Sequence, residues 1–194
     1  MEPHFEKIDK LMYYDYLKNA NSYFEFGSGG STFKAMQNKN VKKVYSVESD
    51  VNWFNKVNSD CNKINKNNKF NFTLVDLKCV PNNWGKPGVN SKKSDWVKYS
   101  SSLCNLNKED ISNINLILID GRFRVACCLK CFDVINDDCL IIFDDFLNRP
   151  QYFIVLQFFD IINKTKDKRM VILKKKKVVS PTIELIQKYE MLID

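Results

Sequence analysis

The chain has 194 residues, 44% of them apolar and 13% aromatic, and a formal net charge of +7. That length and composition allow a full hydrophobic core and exclude a disordered chain. No apolar run approaches the ~20 residues needed to span a bilayer. The start, Met1-Glu2-Pro3-His4, lacks the basic and apolar regions of a signal peptide. One cytoplasmic domain over residues 1–194 is the simplest expectation, with the oligomeric state left open. The seven cysteines are odd in number and scattered, and the Cys128-x-x-Cys131 pair has no second pair to complete a zinc site. They read as reduced, mostly buried thiols. Lysine carries the positive charge, because Arg122, Arg124, Arg149 and Arg169 are the only arginines. Nucleic-acid readers lean on arginine. The charge is therefore read first as a solvated surface, with a nucleic-acid partner as the alternative.

In chain order, Phe5 to Leu17 has helical apolar spacing and predicts an N-terminal helix within residues 1–20, over the sheet edge or the ligand mouth. Tyr23 to Gly27 reads as a strand that runs into a glycine turn, Gly27-Ser28-Gly29-Gly30, followed by helix from Ser31. Three of the six glycines of the chain stand in that turn. Glycine permits a sharp turn and close approach of a ligand, and Ser31 or Thr32 can cap the exposed N–H groups of the helix. Val44 to Glu48 is a second strand, ending in an acid about 20 residues after the first glycine, where nucleotide-binding folds place the carboxylate that holds ribose hydroxyls. A helix from Val51 to Lys63 should turn Trp53, Phe54 and Val57 inward. Phe70 to Val75 is a third strand, ended by Asp76.

Residues 78–104 read as one long irregular stretch, a lid or substrate wall carrying Trp84, Trp96 and Tyr99. Asn115 to Ile119 and Cys139 to Phe143 are buried strands ending in Asp120-Gly121-Arg122 and Asp144-Asp145, with a helix from Val125 to Ile135 between them. Pro150 opens a further helix. Asp160 to Asn163 and Met170 to Leu173 predict a hairpin, Lys174 to Lys177 a solvated run, and Pro181 to Tyr189 a closing helix. This is a Rossmann-like, doubly wound α/β fold, with a mostly parallel seven-stranded sheet and a C-terminal antiparallel hairpin. Glu25, Glu48, Asp76, Asp120, Asp144 and Asp145 all fall at strand carboxyl ends, where such sheets bind ligands. Clustered acids need a cation, and Asp120, Asp144 and Asp145 suit a hard divalent ion such as Mg2+ or Mn2+, or the positive charge of a ligand.

Glu25-Phe-Gly-Ser-Gly-Gly-Ser-Thr32, Ser46-Val-Glu-Ser-Asp50, Trp84-Gly-Lys-Pro87, Ile119-Asp-Gly-Arg-Phe-Arg-Val-Ala126 and Phe143-Asp-Asp-Phe146 with Arg149-Pro150 form an ordered set. Together they resemble class I S-adenosylmethionine (SAM)-dependent methyltransferases, in particular metal-dependent sugar and catechol-type O-methyltransferases. The resemblance implies that Glu25, Gly27, Ser28, Gly29, Gly30, Ser31 and Thr32 cradle the methionine end of SAM. Glu48 would hold the ribose, Asp76 would meet the adenine, and Asp120, Gly121 and Arg122 would lie by the sulfonium. Asp120, Asp144 and Asp145 would bind a metal or, without one, Asp144 or Asp145 would act as base, with Arg149 orienting the substrate and Trp84 and Trp96 walling it. It implies methyl transfer to a hydroxyl of a sugar or other vicinal diol. A ribose or base of RNA is the alternative acceptor, and a non-catalytic SAM-binding module the alternative function. Arg122 departs from the pattern and could replace metal charge by pairing with Asp144 or Asp145.

Overall fold

The computed structural model describes residues 1–65, 69–166 and 169–193. Its strands are β1 (Ser22–Phe26), β2 (Lys43–Glu48), β3 (Phe70–Leu74), β4 (Leu116–Ile119), β5 (Leu140–Phe143), β6 (Phe159–Lys164) and β7 (Val171–Lys175). They form one sheet in the order β3-β2-β1-β4-β5-β7-β6. The first five are mutually parallel, whereas β7 runs antiparallel to both β5 and β6. Phe26 pairs with Val47 and Ile119, and Ile119 with Phe143, so the parallel strands stop at a common rim. The turn of the predicted hairpin, Lys164 to Lys168, lies partly outside the described residues.

The near-continuous apolar strands are explained by helices on both faces. Phe24, Phe26, Val47, Ile117, Ile119, Ile141 and Phe143 point to one layer. There they meet α4 (Lys93–Ser100), α6 (Arg124–Cys131) and a 3₁₀ helix, Pro150–Gln157, with α7 (Ile183–Glu190) at its margin. The alternate residues Tyr23, Val44, Leu116, Leu118 and Ile142 meet α1 (Lys7–Leu17), α2 (Gly30–Gln37) and α3 (Val51–Asn62). Cys127, Cys128 and Cys131 are buried free thiols of α6.

Several elements differ from the sequence reading. Residues 78–104 are not one irregular stretch, because Lys93–Ser100 is helical and buries Tyr99 in the core. A short helix α5 (Lys108–Asn113), capped by Asn107, went unforeseen. Lys174 to Lys177 is not a plain solvated run. Lys175 lies in β7 and its Nζ donates to the carbonyls of Ile135 (2.9 Å) and Phe132 (3.3 Å). Trp53 does not turn inward as Val57 does, but caps the glycine turn, its Nε1 donating to Ser28 O at 2.8 Å.

The turns after β1 and β4 touch backbone to backbone. Gly27 adopts φ +90°, and a Cβ there would lie 2.7 Å from Gly121 Cα. Gly27→Ala should therefore combine left-handed strain with a collision and lower the unfolding free energy by at least ~2 kcal/mol. Urea titration measures this, and a loss below ~0.5 kcal/mol would show that the turns do not depend on this contact.

Candidate functional site

Glu48, at the tip of β2, holds two turns at once. One carboxylate oxygen accepts from Ser28 N (3.0 Å) and Ser28 Oγ (2.6 Å). The other accepts from Ser49 N (2.7 Å), Asp50 N (2.9 Å) and Ser49 Oγ (3.2 Å). A carboxylate has about four lone-pair sites, so these donors fill it. Two of them, the hydroxyls of Ser28 and Ser49, are side chains that rotate away at small cost.

Glu25 does not line the turn but lies beneath it, fully buried. Its oxygens accept from Ser31 Oγ (2.8 Å), Ser46 Oγ (2.8 Å), Tyr23 Oη (2.9 Å) and Thr32 Oγ1. Thr32 Oγ1 in turn accepts from Gly29 N at 2.8 Å, so Thr32, rather than an N-cap side chain, closes the start of α2. Gly30 makes its close approach to the chain itself, since a Cβ there would lie 2.0 Å from the Glu2 carbonyl carbon. Burial pushes the Glu25 carboxyl up to about 7, against the pull of the four hydroxyls.

The acids after β4 and β5 meet guanidinium groups. Arg124 is buried, and its Nη2 pairs with Asp120 (3.2 Å) and its Nη1 with Asp145 (3.3 Å). It also donates to the carbonyls of Gly121 (3.0 Å) and Asp144 (2.8 Å). Asp145 further pairs with Arg149 (3.1 Å) and Arg169 (2.9 Å). Arg169 reaches Asp144 at 3.4 Å and the buried Asp9 of α1 at 4.0 Å. The metal expectation for Asp120, Asp144 and Asp145 finds no support in this arrangement. Three guanidinium groups neutralise the carboxylates, and no cluster of acidic, histidine or cysteine side chains among the described residues fits an ion. Arg124, Arg149 and Arg169 supply this charge. Asp144, expected as a base or metal ligand, has only 1% of its side chain exposed, against 31% for Asp120. Asp120 is held well above the usual carboxylate range by burial and by the neighbouring Asp144 charge.

The segment after β3 folds over the rim. Asp76 pairs with Lys78, which holds its pKa below the usual range. Ser49 Oγ donates to Gly85 O at 3.3 Å, and a Cβ on Gly85 would sit 3.9 Å from both Glu48 Oε1 and Arg122 Cδ. Trp84 is 75% exposed and lies 5.1 Å from the His4 ring. Trp96 stacks on Phe123 at 5.5 Å and donates to Ser91 Oγ at 2.6 Å. The strand tips thus gather Gly27, Ser28, Glu48, Asp120 and Asp145 at one rim. Arg124, Arg169 and Asp9 are members that sequence reasoning missed. The signal was there, in a chain with only four arginines, of which Arg124, Arg149 and Arg169 pair with these acids.

No protein-family description and no curated protein matches the chain. Among solved structures, a methyltransferase-like protein from Silicibacter pomeroyi is 23% identical, with a TM-score of 0.81 and 97% of each chain covered. An O-methyltransferase from Bacillus cereus in complex with SAH is 11% identical, with a TM-score of 0.58 over 90% of this chain and 83% of that one. The tRNA m1A22 methyltransferase TrmK of B. subtilis is 13% identical, with a TM-score of 0.54 over 90% and 68%. The chain has the class I SAM-dependent methyltransferase fold. No helix among the described residues is long and apolar enough to cross a membrane.

Glu25 generates a pH test. Its folded pKa, about 7, exceeds its ordinary 4.5, so the folded state binds the extra proton between those values. The associated stability is complete below about pH 4.5 and is lost as pH rises through about 7, by up to ~3 kcal/mol. Urea titrations of Glu25→Gln should show this decline flattened relative to the parent chain, and an unchanged slope would rule out Glu25 as its source.

Proposed function

We propose that the chain is a SAM-dependent methyltransferase that acts on a hydroxyl of a small acceptor and needs no metal ion. The observation that carries this reading is Glu48, fixed at the tip of β2 beside the Gly27 turn on the same rim as Asp120. A ribose diol can replace the Ser28 and Ser49 hydroxyls on Glu48 like for like, so the carboxylate keeps its full set of hydrogen bonds. SAM supplies an activated methyl group when bound. The residues of the chain then have three tasks: Glu48 and the glycine turn hold the donor, Arg149 and Asp145 orient the acceptor, and Asp120 takes the hydroxyl proton. Of the three rim aspartates its side chain is the most exposed, at 31% against 17% for Asp145 and 1% for Asp144. Without a chelated ion, the reason for requiring a vicinal diol disappears, and one hydroxyl suffices.

A second reading, methylation of RNA, is supported by the net charge of +7 and by the likeness to a tRNA methyltransferase. Label transfer from SAM to small hydroxyl acceptors and to tRNA separates the two. In calorimetry Glu48→Ala should weaken SAM binding by more than about tenfold, whereas Ser28→Ala should change it by less than about threefold. Absence of heat with millimolar SAM would sink the proposal. Transfer should be unaffected by EDTA, and abolition that added Mg2+ restores would return the metal to the site.

A further inference from the structure

The segment that follows β3 holds a strained backbone beside Glu48. Lys78, Asn82 and Trp84 adopt left-handed φ values of 50°, 56° and 50°, ahead of Gly85 at 74°. Asparagine tolerates this region, lysine and tryptophan less so, and such conformations persist where the surroundings impose them, often at clamps and switches. The tip of the segment is a small turn, closed by Val80 N donating to Lys86 O at 3.0 Å and Lys86 N to Asn83 O at 2.9 Å. Trp84 at that tip is 75% exposed, so burial in the core does not account for its backbone.

One residue holds both the root and the tip of this segment. The Ser49 carbonyl accepts from Leu77 N (3.1 Å) and from Cys79 Sγ (3.1 Å), which fixes the root. The Ser49 hydroxyl reaches the tip, and it faces two acceptors with one proton. Glu48 Oε1 lies at 3.2 Å and Gly85 O at 3.3 Å. Both distances are long against the ~2.7–2.8 Å of a hydroxyl that serves one oxygen. A Cβ on Gly85 would stand 2.5 Å from this hydroxyl, so only a glycine admits the approach. Trp84 meets the His4 ring at 5.1 Å, in a segment whose Glu2 and Pro3 backbone presses on Gly30 at the start of α2. The tip is thus joined both to the end of β2 and, through His4, to the start of α2.

We propose that Ser49 is a positioning residue that couples binding of the methyl donor to docking of the 80–86 tip. The proposal rests on the reading of Glu48 as the residue that holds the ribose, and deepens it. When a ribose hydroxyl donates to Glu48 Oε1, the Ser49 proton turns wholly to Gly85 O. The long, shared bond becomes a single short one, and the tip is drawn against the end of β2. Couplings between binding equilibria are reciprocal, so a docked tip in turn raises the affinity for the methyl donor. One net hydrogen bond corresponds to about a fivefold change in that affinity.

The test is amide hydrogen exchange on the full chain, with and without saturating SAH, beside calorimetry with SAH. In the parent chain SAH should slow exchange by more than about fivefold in peptides covering Val80 to Lys86, as well as in those covering the Gly27 turn. Ser49→Ala should keep the slowing at the turn, lose it at the tip, and bind SAH about fivefold more weakly. Simple competition for Glu48 predicts the opposite sign, because removing the hydroxyl would leave the carboxylate freer for the ribose. Gly85→Ala, in an exposed loop, is the second variant: its Cβ displaces the Ser49 hydroxyl and should give the same split between turn and tip. Tip exchange that SAH leaves unchanged in the parent, tip protection that survives in Ser49→Ala, or SAH affinity of Ser49→Ala equal to or above that of the parent would each overturn the proposal. In all three of these outcomes SAH still binds and protects the turn. Loss of SAH heat together with unchanged exchange at the turn would instead overturn the underlying reading, and the coupling with it.

Discussion

A single buried guanidinium, that of Arg124, carries the architecture of the rim. Its nitrogens reach the Asp120 and Asp145 carboxylates and the Gly121 and Asp144 carbonyls. The loops after β4 and β5 are thus joined through one side chain rooted in the first turn of α6. Burial works to strip its proton, but the surrounding acids outweigh that and keep it charged. Taking one partner from such a set leaves a buried charge unpaired, at ~3–5 kcal/mol. The cluster therefore fixes where the remaining polar groups can stand, including Asp145 with its left-handed φ of 57°.

That constraint changes the chemistry that the acids suggest. Three aspartates at neighbouring strand tips look like an ion site until their partners are counted. With Arg124, Arg149 and Arg169 in place, the positive charge is already supplied by the chain, in a form that forks between carboxylates and cannot be chelated away. What stays accessible is asymmetric. Asp144 is sealed, Asp120 is partly open, and Arg149 stands at the margin with 34% of its side chain exposed.

Much of the fold was legible because buried parallel strands are written as unbroken apolar runs, and each such run here ends in an acid or a glycine. Tyr23 to Gly27, Val44 to Glu48 and Cys139 to Phe143 each match a strand to within a residue. The short, polar helices α4 and α5 carried no such pattern, and Asn107 as a cap was the one cue for α5. The site was legible in position but not in partnership. Nothing local tells that Glu25 faces Ser46, because only the pairing of β1 with β2 brings them side by side. For the same reason an acid placed like a cofactor ligand turned out to be the buried peg of a hydroxyl cluster. Arg169 lies 24 positions from Asp145, and only the antiparallel return of β7 brings it back to β5.

The reach of Arg169 also ties distant parts of the chain together. It joins Asp144 and Asp145 to Asp9, which lies in the first helix of the chain. Contacts so distant along the sequence carry the entropy cost of closing long loops. Arg169 stands just before β7, so the last antiparallel strand is what carries this counter-charge to Asp9 and Asp144. The charge balance of the rim therefore depends on both ends of the chain.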